Sequence, residues 1–140
     1  MKTILHVEDD ALIVHIYRSA LVRAGFQVEV AEDGLIASRM LYKAKPDLVV
    51  LDLLMPKLAG AEVIKFIRST PALKTLPVIV LSQASIADQG VSAAALGADR
   101  VLYKSQCTPA ILIGAINDLL GGTAPAGSPV HDPVADLRRS

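Results

Sequence analysis

The chain has 140 residues, 52% hydrophobic and 4% aromatic, and its 14 Lys plus Arg balance its 14 Asp plus Glu. That length suits one domain with a single sizeable core, and zero net charge gives no field drawing it to nucleic acid or to an anionic membrane. The single cysteine, Cys107, excludes an intrachain disulfide, and with no apolar run long enough for a bilayer or a secretory signal a cytoplasmic protein is expected.

In chain order, Thr3 to Val7 reads as a first strand, closed by the acidic turn Glu8-Asp9-Asp10. A helix is expected over residues 11–24, stopped by Gly25. Residues 26–30 alternate like a second strand. Asp33-Gly34 then turns the chain into a helix over 35–43, which ends before Pro46. The run Asp47-Leu48-Val49-Val50-Leu51-Asp52 is apolar between polar ends, as a strand buried on both faces of a parallel sheet would be. Met55-Pro56 and Gly60 form a loop before a helix over 61–68. Pro71 and Pro77 flank an irregular approach to a fourth strand, Val78-Ile79-Val80-Leu81. An Ala-rich helix is expected over 86–96, a fifth strand over 100–103, and a last helix from Thr108-Pro109 to about residue 120. Thr108-Pro109 supplies an N-cap hydroxyl and a proline at the first helical position. Strands alternating with helices predict an α/β fold, a doubly wound parallel sheet of five strands with helices on both faces. The folded domain should cover residues 1–120. Residues 121–140, rich in Gly, Pro and Ala without apolar periodicity, read as a disordered tail with no room for a second output domain.

Asp52 closes the most apolar of these strands, where open α/β sheets place their ligand chemistry. If the first strand lies parallel beside it, Glu8 and Asp9 converge on the same edge. Like charges at such range repel, and a divalent cation would relieve them. Asp10 reads as a cap or dipole partner of the helix that follows rather than as a ligand. His6 reads as a packed core histidine, His15 as a mid-helix residue without chemistry, and Cys107 as an inert loop thiol.

These motifs, matching together in order and spacing over about residues 1–120, resemble the receiver domain of two-component response regulators. They are the acidic pair Glu8-Asp9, Asp52 within Leu51-Asp52-Leu53-Leu54-Met55-Pro56, Ser82 at the end of the fourth strand, and Lys104 at the end of the fifth. The resemblance implies flavodoxin-like topology, strand order 2-1-3-4-5, with the site at the switch point between the first and third strands. It also implies that Asp52 accepts a phosphoryl group from a histidine kinase or a phosphotransfer protein. Glu8, Asp9, Asp52 and the Leu54 backbone carbonyl would hold Mg2+, and Ser82 and Lys104 would bind phosphoryl oxygens. A stand-alone phosphorylation-dependent binding switch is the function implied, acting on a protein target that the sequence does not identify, with no nucleic acid or membrane partner expected. The first helix, carrying Leu12, Ile13, Ile16 and Tyr17, is a candidate dock for the phosphodonor, with a broad core-facing stripe as the competing reading.

Four positions depart from the usual receiver pattern. Ser105, not proline, follows Lys104, so no cis bond locks that loop. Val101 stands where an aromatic often swings, with Tyr103 two places on. Gln83 replaces a small residue after Ser82, and Ala59 precedes Gly60 where Asp is common. These departures leave phosphoryl transfer intact but keep open a pseudo-receiver that acts as a constitutive interaction module. A phosphohydrolase of the haloacid-dehalogenase type needs a second acid two residues past its nucleophile, where this chain has Leu54. Nucleotide binding lacks a Gly-rich loop after the first strand.

Overall fold

Five strands, β1 (Thr3–Val7), β2 (Gln27–Ala31), β3 (Leu48–Asp52), β4 (Val78–Ser82) and β5 (Arg100–Tyr103), pair in parallel in the order β2-β1-β3-β4-β5. The computed structural model describes residues 1–52, 60–82 and 97–121, with the Ser82 side chain left out. The helix expected over 86–96, the loop carrying Leu54 and Ala59, Gln83 and nearly all of the expected tail lie outside those residues. Among the described residues the helices are α1 (Ala11–Arg23), α2 (Gly34–Lys43), α3 (Gly60–Ser69) and α4 (Pro109–Leu119). This is the doubly wound parallel sheet that the alternating pattern predicts, in the flavodoxin-like strand order that the resemblance implies.

The sheet divides the core in two. Leu5, Val7, Val49, Leu51, Val78 and Val80 face α2 and α3, where they meet Ala37, Leu41, Val63, Ile64 and Ile67. Ile4, Leu48, Val50, Ile79 and Leu81 face α1 and α4, where they meet Tyr17, Leu21, Leu112 and Ile116. Residues 48–51 are all fully buried. A strand covered on both faces needs a continuous apolar run, which is why β3 shows no alternation.

The helices start where their caps dictate. Asp10 Oδ1 accepts from Leu12 N at 2.9 Å and Ile13 N at 3.3 Å, satisfying two of the free amides of α1. Asp10→Ala should therefore cost about 1 kcal/mol in urea unfolding; an unchanged midpoint would show that water replaces the cap fully. Asp33 caps α2 through Ile36 N at 2.9 Å, and Thr108 caps α4 through Ile111 N at 3.2 Å.

One boundary moves. The second strand runs Gln27–Ala31, not 26–30, because Phe26 N bonds back to Leu21 O at 3.0 Å. Phe26 thus closes the end of α1, after Gly25 at φ +99 has turned the chain. The approach to β4 is also more regular than expected, with a 3-10 turn at Pro71–Leu73.

The edge of the sheet opposite the strand carboxyl ends is tied by side chains. Thr3 N donates to Asp47 Oδ2 at 2.7 Å while Asp47 N donates to Thr3 O at 2.8 Å. Arg68, in the last turn of α3, donates to Gly97 O at 2.9 Å, Lys74 O at 3.0 Å and Leu76 O at 2.7 Å. It also donates to Asp99 Oδ2 at 2.9 Å, an atom that accepts from Val78 N at 2.8 Å as well. Gly97 lies at φ +109, and a Cβ there would come within 3.1 Å of the Arg68 side chain. The backbone angle favours glycine, and any Cβ would force the Arg68 side chain to give way by a few tenths of an ångström.

Candidate functional site

Strand register sets the site. Val7 pairs Leu51, Asp52 pairs Leu81, and Ser82 pairs Tyr103. Glu8, Asp52, Ser82 and Lys104 therefore stand at the carboxyl ends of β1, β3, β4 and β5, all on one edge. Glu8 and Asp52 are almost fully buried, at 1% and 4% exposure, whereas Asp9 is exposed. Carboxylate oxygens of Glu8, Asp9 and Asp52 lie within 4.8 Å of one another. Lys104 Nζ reaches into this cluster, 3.1 Å from Asp52 Oδ2 and 3.5 Å from Glu8 Oε1. Of the residues expected at the site, these four converge; Leu54 and the Ser82 side chain lie outside the described structure.

The charges are unevenly settled. Burial, and after it the negative charge of Asp52, push the Glu8 carboxyl up to about 7, against the opposing pull of Lys104 and of the Asp10 amide. That amide donates to Glu8 Oε2 at 3.3 Å. Burial works against the Lys104 ammonium, yet the carboxylates of Asp52 and Glu8 outweigh it and raise its pKa above the ordinary lysine value. A carboxyl whose pKa is raised on folding binds its proton more tightly when folded. Its contribution is full below the unfolded value, near 4.5, and is lost as pH rises through about 7. In EDTA, the melting temperature of the native chain relative to Glu8→Gln should therefore fall between pH 5 and 8. A difference flat across that range would mean that Glu8 ionises as freely folded as unfolded.

Beneath the carboxylates the floor is neutral. His6 is fully buried, neither ring nitrogen has a hydrogen-bond partner among the described residues, and it meets Tyr17 edge-on with ring centroids 6.0 Å apart. Burial first, and the nearby Lys104 charge second, hold its pKa at about 4. His6 is thus a packed core residue, as its place in a strand suggests. His15 is exposed on α1.

After β5 the chain makes a 3-10 turn, Lys104–Gln106, with Cys107 N bonded to Lys104 O at 3.4 Å. Cys107 is buried against the α1/α4 side of the core, and burial raises its thiol pKa, with the nearby Tyr17 hydroxyl opposing the shift. An inert thiol fits those surroundings. The Tyr17 hydroxyl donates to the Cys107 carbonyl at 2.5 Å. Sequence reading did not find this contact; its one local signal is a hydroxyl-bearing ring on a helix face that is otherwise aliphatic. Val101 packs on the α2/α3 side of the core, and Tyr103 is half-buried.

The donor set suits a hard divalent cation: three carboxylates together, one of them exposed to solvent from which waters can complete a shell. Glu8 Oε1 is buried with the 3.5 Å ion pair to Lys104 Nζ and no hydrogen bond among the described residues, which leaves room for a metal–oxygen contact.

Comparison with known proteins agrees with the fold. The profile of the response regulator receiver domain family matches residues 4–117. The response regulator MprA of Mycobacterium leprae is 37% identical over 122 residues, which cover 87% of this chain and 52% of that protein. The chain spans about half the length of the curated relatives it matches. Among solved structures, the signal receiver domain of a signal transduction histidine kinase from Syntrophus aciditrophicus superposes with a TM-score of 0.81 at 30% identity, covering 94% of this chain and 98% of that one. The Mn2+-bound form of response regulator Rcp1 superposes with a TM-score of 0.76 at 29% identity, covering 90% and 100%.

Proposed function

Because this chain belongs to the response regulator receiver domain family, we propose that it is a phosphorylation-dependent switch of two-component signalling whose phosphoacceptor is Asp52. The observation that carries the proposal is the meeting of one lysine with buried carboxylates: Lys104 Nζ lies 3.1 Å from Asp52 Oδ2. A lone structural ion pair would need one acid. Here Glu8 and Asp9 crowd the same point, an arrangement costly to folding unless charge is to be delivered there.

In the reaction an Asp52 oxygen attacks phosphorus as the bond from phosphorus to the donor breaks. The donor is a phosphohistidine on a histidine kinase or phosphotransfer protein, whose nitrogen leaves with the bonding pair and takes a proton from solvent, or a small acyl phosphate, whose oxygen leaves with the pair as a carboxylate. Lys104, kept cationic by its carboxylate neighbours, would turn from Asp52 to a phosphoryl oxygen as negative charge is added. Ser82, at the end of β4, is the proposed hydrogen-bond donor to a second oxygen. Glu8, Asp9 and Asp52, with the Leu54 carbonyl, are the proposed holders of Mg2+, which when bound supplies charge neutralisation of the carboxylates and of the transferred group. The Mn2+-bound relative supports a divalent site of this kind.

Docking of the donor is proposed on α1, where Leu12 and Ile16 are 66% and 45% exposed beside the acidic turn. The helix is split: Tyr17 and Leu21 are buried, so the apolar stripe and the candidate dock are different faces of one element. Balanced charge supports a protein rather than a nucleic acid as the target of the described region. No described helix is long and apolar enough to cross a membrane.

The test is mass spectrometry of the chain after acetyl phosphate with Mg2+. A gain of one phosphoryl group, absent in EDTA, is expected. No gain would favour a constitutive interaction module that has kept the fold without the transfer.

A further inference from the structure

Among the described residues, little holds the turn that carries Lys104. The 3-10 segment Lys104–Gln106 has no side-chain cap, and the backbone bond that closes it is 3.4 Å long. Ser105 and Gln106 are exposed. The residue after Lys104 is Ser105, so no proline ring fixes φ there, and no cis peptide bond occurs among the described residues.

Among the described residues, the turn is gripped by a residue 90 positions away in sequence, through the buried bond from Tyr17 Oη to Cys107 O. The Tyr17 ring is itself fixed: it is 7% exposed, packed in the α1/α4 side of the core, and set edge-on against His6. The other end of α1 is fixed by the Asp10 cap, next to Glu8 and Asp9. One helix therefore sets the spacing between the acidic turn after β1 and the lysine turn after β5, with Tyr17 about 10 Å along the axis from Asp10 at 1.5 Å per residue.

Building on Asp52 as phosphoacceptor, we propose that Tyr17 is a positioning residue: its hydroxyl, through the Cys107 carbonyl, holds the turn that aims Lys104 at Asp52. Without the hydroxyl a buried carbonyl loses its partner. The turn must then move to hydrate it, and Lys104 moves with the turn. Small displacements of a charge-stabilising group cost much where geometry is set in advance.

The test compares the native chain, Tyr17→Phe, Lys104→Ala and the double variant, each checked for folding by circular dichroism. The readouts are the initial rate of phosphoryl uptake from acetyl phosphate with Mg2+ and amide hydrogen exchange over residues 105–107. Tyr17→Phe keeps the ring and should slow uptake roughly tenfold and speed exchange in the turn. In the Lys104→Ala background it should slow uptake no further, because the two residues act through one contact. Leu21→Val, a core change on the same helix, should lower the melting temperature without slowing uptake. An unchanged rate in Tyr17→Phe, or equal slowing with and without Lys104, would overturn the positioning role. If the native chain takes up no phosphoryl group, the phosphoacceptor reading fails instead. Hydrogen exchange then decides this inference alone, and unaltered exchange in Tyr17→Phe would refute it.

Discussion

Asp52→Asn takes up no phosphoryl group from acetyl phosphate, its rate falling by on the order of 10^4-fold or more, as when a covalent nucleophile is removed elsewhere. The amide matches the carboxylate in shape, so the loss is chemical. A neutral amide oxygen lacks the charge that attacks phosphorus, and the phosphoryl adduct it would form is not a stable acyl phosphate. The fold persists, because Lys104 retains Glu8 at 3.5 Å as its partner and one member of a crowded acidic cluster has been neutralised. A melting temperature at or above that of the native chain in EDTA is the accompanying result. If native and variant chains both gain one phosphoryl mass, the nucleophile is another residue and the site assignment is wrong. Steady release of phosphate from a generic ester, lost in the variant, would point instead to a hydrolase.

Arg68→Ala should destabilise the chain by about 3 kcal/mol, the second large effect, with no change in phosphoryl uptake once folded. The guanidinium makes hydrogen bonds to three carbonyls and one carboxylate. Each is worth about 1 kcal/mol net, more where charge is involved, but the exposure of part of this cluster lets water replace some of them. Asp99 would keep its bond from Val78 N, which limits the damage. Arg68→Lys should recover a minority of the loss, since an ammonium cannot fork to acceptors on separate segments. Urea unfolding gives the value directly. A loss below about 1 kcal/mol would place this cluster among ordinary surface ion pairs.

The residues that made the fold legible are those whose environment is uniform. β1, β3 and β4 are buried on both faces, so their apolar runs announce them, and Asp10, Asp33 and Thr108 cap helices by local rules that need no tertiary knowledge. Phe26 misled by one residue because its apolar side chain suits a strand while its backbone completes a helix end. At the site, Glu8, Asp9 and Asp52 could be brought together because they end or follow strands that parallel pairing aligns, while Lys104 is singled out by the resemblance to the receiver motif. Contacts that depend on side-chain reach were not legible. Nothing near Tyr17 signals Cys107, and Arg68 gives no sign that it serves Gly97 and Asp99, about thirty residues on. Such pairs are decided by how helices seat on the sheet, and a periodicity argument says nothing about that.

The sheet that splits the apolar interior has a consequence for how such a chain can change over generations. In β3, Leu48 and Val50 serve one compartment while Val49 and Leu51 serve the other, and close-packed side chains press on neighbours within their own compartment. Substitutions under α1 and α4 are thus largely invisible to those under α2 and α3, since additivity fails chiefly between residues in contact. The two halves can drift on separate clocks, and the strand backbones between them, with the acids and the lysine at their ends, are the inheritance they hold in common.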